Sequence, residues 1–156
     1  MKKLIAFTLI LLGAAFGANA STYEELSWDD LIPESEKTMQ YNFGGEASAK
    51  QSLVRHAIRP ELNQRKIRIA GYFVPLESDG ETISQLLLVP YAGACIHVPP
   101  PPENQIIYVQ FKEPMPIEKF QSVIYVSGTI KAEVTVNELA NRVGYSLEGL
   151  EVEPYE

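Results

Sequence analysis

Apolar and polar positions alternate over residues 67–77. Ile67, Ile69, Gly71 and Phe73 take one side, and Arg68, Ala70, Tyr72 and Val74 take the other. Alternation over that length predicts a strand, and the glycine inside it predicts a bulge or a tight bend. Ser78-Asp79-Gly80 is turn chemistry, so the next apolar run, residues 82–91, is expected to fold back as the second arm of a hairpin. Leu86-Leu87-Leu88-Val89 lacks alternation, which is the pattern of a strand covered on both faces, and Pro90 falls at its end. Residues 106–111 predict a third strand, residues 125–134 a fourth with a bulge at Gly128, and residues 145–154 a fifth. In the fifth, Tyr145, Leu147 and Gly149 fall on one side and Glu148, Leu150 and Val152 on the other.

The helical signals are shorter. Residues 46–58 carry an apolar face of Ala47, Ala49, Leu53, Val54, Ala57 and Ile58, ended by Pro60. Residues 136–143 predict a helical insertion closed by Gly144 as its C′ residue, and residues 117–123 predict a short helix or turn after Pro114-Met115-Pro116. Ser27-Trp28-Asp29-Asp30-Leu31-Ile32-Pro33 predicts a capped turn whose Trp28, Leu31 and Ile32 dock an N-terminal arm. Five short strands with glycine bulges and a small helix before the last predict a mainly β fold. The expected form is a small five-stranded OB-like barrel, with a different mixed barrel or small sandwich as the competing architecture.

The start of the chain is set apart from that fold. Lys2 and Lys3, an apolar run over residues 4–16 and Ala18-Asn19-Ala20 have the order of a secretory signal peptide, with cleavage expected after Ala20. The run is shorter than the ~20 residues a spanning helix needs. The expected organisation is a leader over residues 1–20, an arm over 21–45 and one barrel domain over 46–156 of the 156-residue chain, exported to the periplasm. Without the two leader lysines, 11 basic residues stand against 20 acidic ones, a balance of −9. That sign disfavours nucleic acid and anionic membrane surfaces, whose binding rests on Lys and Arg.

Chemistry concentrates in one stretch, GACIHVPPPPENQ over residues 93–105. It holds the sole cysteine, Cys95, and one of two histidines, His97. Two positions apart, they share a face of an extended segment, and Pro99 to Pro102 follow as a stiff polyproline rod. Three readings stay open. Thiolate and imidazole suit zinc or copper, with His56 and Glu103 as further ligands and Glu77 and Asp79 behind them. A histidine can instead activate the thiol as a nucleophile, oriented by Asn104 or Glu103, although a lone cysteine excludes an internal dithiol cycle. In the third reading Cys95 is buried and the prolines, with Tyr91 and Tyr108, dock a protein partner. His56, near the end of its predicted helix, also suits a last-turn cation. No phosphate loop, HExxH, nucleophile elbow or EF-hand pattern occurs.

Residues 86–109, LLLVPYAGACIHVPPPPENQIIYV, resemble the signature block of a family of small exported bacterial proteins defined only by a domain of unknown function. Residues 71–77 (GYFVPLE), 28–33 (WDDLIP) and 126–129 (VSGT) are similar to that family too, so the resemblance spans most of the chain beyond the leader. It implies association with an ABC-type ATPase and a membrane permease of the lipoprotein-exporter kind, and in some sets a link to zinc supply. It implies no catalytic residues. The expectation is a periplasmic binding or accessory protein without direct membrane insertion once the leader is removed.

Overall fold

A computed structural model describes residues 23–37, 56–93, 101–137 and 141–155. Eight strands form within them: β1 (Glu24–Leu26), β2 (Lys66–Ser78), β3 (Thr82–Val89), β4 (Ile107–Pro116), β5 (Val123–Lys131), β6 (Thr135–Asn137), β7 (Asn141–Val143) and β8 (Tyr145–Pro154). The helices among the described residues are short 3-10 turns, at Trp28–Leu31, Pro60–Leu62, Glu103–Gln105 and Ile117–Lys119. Most of the helix expected over residues 46–58 lies outside the described residues, and residues 56–58 are not helical.

Five strands close into a barrel. The sheet runs β2-β3-β4-β8-β5, and β5 pairs back onto β2. Counted along the chain, the order around the barrel is one-two-three-five-four, with β4 and β8 parallel and the other seams antiparallel. This is the OB-like arrangement: closure leaves no open barrel edge and turns one face of every strand inward. The inward set includes Ile67, Ile69, Leu86, Leu88, Ile107, Val109, Ile124, Val126, Ile130, Tyr145 and Leu147, all nearly or fully buried. β3 is covered on both faces, as its apolar run predicts: Leu87 and Val89 join Ile106 and Val143 in a smaller outer cluster with Tyr72, Val74, Tyr91 and Tyr108 against it.

The capped turn forms at Trp28–Leu31. The Ser27 amide and hydroxyl both donate to Asp30 Oδ2, at 2.8 and 2.6 Å, and these bonds, the hydroxyl's first, hold the Asp30 carboxyl below its ordinary pKa. Trp28 Nε1 donates to Ala70 O at 2.7 Å. Gly71 has a different role from the bulge expected of it. Pairing with β5 continues unbroken through it, and a Cβ there would meet Trp28 Cζ2, Leu88 Cγ and Val89 O, each at 2.9 Å. The missing side chain makes room for the indole.

Two further expectations are corrected. The insertion over residues 136–143 is a β-hairpin, β6–β7, and not a helix, so Gly144 caps no helix. The Gly144 amide instead donates to Glu103 O at 2.7 Å, and an added Cβ would collide with that same carbonyl. The register shift at Gly128 does occur, but the extra residue is Leu150 on β8, since Ser127 pairs Glu151 and Gly128 pairs Gly149. The inward face changes phase there, and Val152 is buried where simple alternation puts it outside.

Candidate functional site

Cys95, His97, Pro99 and Pro100 lie outside the described residues, so the structure bears on the Cys-x-His stretch through what adjoins it. The chain is described as far as Gly93 and again from Pro101, which is buried, and Pro102, which is half-buried. The 3-10 turn Glu103–Gln105 follows at once. Its three polar side chains are all buried, an arrangement that needs a hydrogen-bond partner for each.

The partners come from separate parts of the chain. Glu103 Oε1 accepts from the His56 amide at 3.2 Å, and Glu103 Oε2 accepts from Arg142 Nε on β7. Asn104 Nδ2 donates to Ala57 O at 3.0 Å and to Glu36 Oε2 at 3.4 Å. Gln105 Nε2 donates to Trp28 O at 2.9 Å. Glu36 completes the cluster: its Oε1 accepts from the Ala57 amide at 2.8 Å, and its Oε2 lies 3.3 Å from His56 Nδ1. The base of the proline run is therefore fastened to the N-terminal turn, to residues 56–57 and to the β6–β7 hairpin.

The structure brings His56 and Glu103 into one cluster. Both oxygens of Glu103 are engaged by donors, one of them a guanidinium, which gives the carboxylate the bonding of a buried structural anion. The Glu36–His56 pair has the carboxylate–imidazole form that orients a ring and fixes its tautomer. Among the described residues no group of three or more His, Cys, Asp or Glu side chains has metal-binding geometry. Glu77 and Asp79 point to other work. Glu77 Oε2 accepts from Ser84 Oγ and Gln85 Nε2, and Asp79 caps the β2–β3 turn through the Glu81 and Thr82 amides.

Tyr91 and Tyr108 both pack on the outer apolar cluster of Leu87, Val89, Ile106 and Val143. The Tyr108 hydroxyl donates to Gln85 Oε1 at 2.6 Å, and burial, with the nearby Glu77 charge, raises its pKa. Sequence reasoning had no signal for Glu36 or Arg142, because neither stands in a motif and both meet the turn only through the fold.

The model of the family described as "Protein of unknown function (DUF3299)" matches residues 28–154, from the Trp28 turn to the end of β8. The chain belongs to the DUF3299 family. The match takes in both the buried cluster and the whole barrel. A solved DUF3299 family protein from Pseudomonas aeruginosa PAO1 is 34% identical, with a TM-score of 0.73 over 86% of this chain and 97% of that one. No curated protein matches the chain. DUF3299 membership thus supports the fold and leaves residue roles to be argued from chemistry.

Proposed function

We propose that this DUF3299 protein is an exported binding protein, periplasmic after cleavage at Ala20, whose working part is the Cys95–His97 pair and the prolines behind it. The ligand is a transition metal, zinc first and copper second, handled on behalf of an ABC-type membrane transport system. One observation carries most of the argument: the turn that ends the proline run has all three polar side chains buried and tied to distant segments. Such a turn anchors the chain where the proline run ends, and anchoring one end of a binding segment lowers the ordering cost of binding. Glu36 beside His56 supports the metal reading, since a carboxylate on one ring nitrogen is how metal-binding imidazoles are commonly held. No helix among the described residues is long and apolar enough to cross a membrane.

A metal-free docking role is the second reading. Tyr91 and Tyr108, half-buried on one outer apolar cluster, favour it as an aromatic flank, and a stiff proline segment loses little entropy when a partner covers it. Metal analysis of the purified chain lacking residues 1–20 separates the two. Zinc or copper bound at about one ion per chain, and lost in both Cys95→Ser and His97→Ala, supports metal handling. Equal loading of all three proteins removes that reading and leaves docking.

A further inference from the structure

On the far side of β4 from the core, the barrel carries a cleft of ≈ 290 Å³ that the metal reading does not use. Its floor follows from register. Tyr108 pairs with Ser146 and Ser146 with Lys131; two residues along, Gln110 pairs with Glu148. These positions share the outward face of three neighbouring strands, as their half-buried or exposed state confirms. Thr135 and Val136 of the β6–β7 hairpin form one wall. The volume is just below the ~300–1,000 Å³ usual for small-ligand sites.

The lining limits what can bind. Lys131 Nζ donates to Glu148 Oε1 at 2.6 Å, so its charge is already compensated and an anion would have to break that pair. The chain's net charge of −7 opposes an anionic ligand further. Val136 is the one aliphatic side chain facing the cleft, since Leu147 turns into the barrel core, and that is too little for a lipid chain. What remains is an aromatic ring, a primary amide, two hydroxyls and a neutralised ion pair, all able to donate or accept hydrogen bonds at short range. The ring is preorganised, because the bond from Tyr108 to Gln85 holds its hydroxyl.

We propose that this cleft binds a neutral oligosaccharide. One sugar face of C–H groups lies against the Tyr108 ring, as amphipathic aromatics allow. Its hydroxyls exchange hydrogen bonds with Gln110, Ser146, Thr135 and the Lys131–Glu148 pair. The cleft shares no residue with the proposed metal pair, so it stands or falls apart from the metal reading; it shares Tyr108 alone with the docking reading, and responses at Gln110 and Ser146 tell the two apart.

The test is a titration of the isotope-labelled chain with two probes, the tetrasaccharides of N-acetylglucosamine and of glucose, followed by amide shifts. At least one should give saturable shifts centred on Tyr108, Gln110 and Ser146. Tyr108→Ala and Gln110→Ala should each weaken that binding at least tenfold, and Tyr108→Phe, which keeps the ring but not its anchor, should weaken it by less. Gln110 is exposed, so its variant keeps the test sound if Tyr108→Ala fails to fold. The proposal is overturned if neither probe shifts these residues up to about 10 mM, well beyond ordinary weak binding. It is also overturned if Gln110→Ala binds like the wild type, or if a sulfated tetrasaccharide binds more tightly and loses affinity with salt.

Discussion

Tyr145 shows how much one polar atom in the core can organise. Its side chain is fully buried at the start of β8. The hydroxyl donates to Leu31 O at 2.8 Å and accepts from the Arg59 amide at 2.7 Å, so it joins the barrel to the N-terminal turn and to the segment before β2. Tyr145→Phe removes both bonds and leaves two backbone groups short of a partner, at a cost of about 1–3 kcal/mol in urea unfolding. Burial pushes the phenol's pKa up to about 12. In the unfolded chain it titrates near 10. The neutral form is therefore favoured by folding. This contribution is complete below about pH 10 and is lost as pH rises towards 12, roughly 2–3 kcal/mol in all. Urea midpoints of wild type and Tyr145→Phe should converge between pH 8 and pH 11, whereas a constant gap would contradict this account. The inward position of Tyr145 was legible from alternation. Its partners were not, because they lie 114 and 86 residues away and leave no periodicity in the chain.

Within elements, the departures from simple patterning are located and physical. Residues 145–149 follow period two, and a reader of the sequence places Leu150 and Val152 together on the opposite face. The bulge against Ser127 and Gly128 inserts Leu150 as an extra residue, 52% exposed, and returns Val152 to the core at 3%. Leu150→Gln should therefore change stability by less than about 0.5 kcal/mol, and Val152→Ala should cost about 1–3 kcal/mol. Comparable losses at both sites would mean that β8 keeps one phase throughout. The β6–β7 hairpin leaves no strand pattern in the sequence for a related reason. Strands of three residues are too short to display alternation, and what fixes this pair is tertiary: Arg142 reaches Glu103, and the Gly144 amide meets the Glu103 carbonyl. The cluster at the foot of the proline run was half legible. Glu103 and His56 stood out by residue type, whereas the partners that define their bonding come from other segments.

At the scale of the molecule, the five-strand count and the barrel were readable because the barrel strands are apolar segments, several of them marked at an end by Gly or Pro: Asp79-Gly80 after β2, Pro90 after β3, Pro116 at the end of β4, and Gly144 and Pro154 around β8. The order around the barrel was not readable from pattern, and it has a mechanical consequence. One seam is parallel, β4 against β8, over residues 107–111 and 145–149. The antiparallel β2–β5 seam runs over residues 66–72 and 123–129, and β5–β8 is longer still. Parallel pairing is slightly weaker per residue, so the short parallel seam is where the closed barrel opens at least cost. Its two ends differ. At one end Tyr145 is held by its two buried bonds and Glu103 meets the Gly144 amide. At the other, Gly149 brings no side chain and the Phe111 ring fills its place, with Cε1 only 2.5 Å from where a Cβ would sit. Opening should start at that glycine end and run towards Tyr145. Hydrogen exchange should then show β4–β8 amides less protected than those of β2–β5, with protection rising from Gly149 to Tyr145. Equal protection of the two seams, or a gradient in the opposite sense, would place the weak point of the barrel elsewhere.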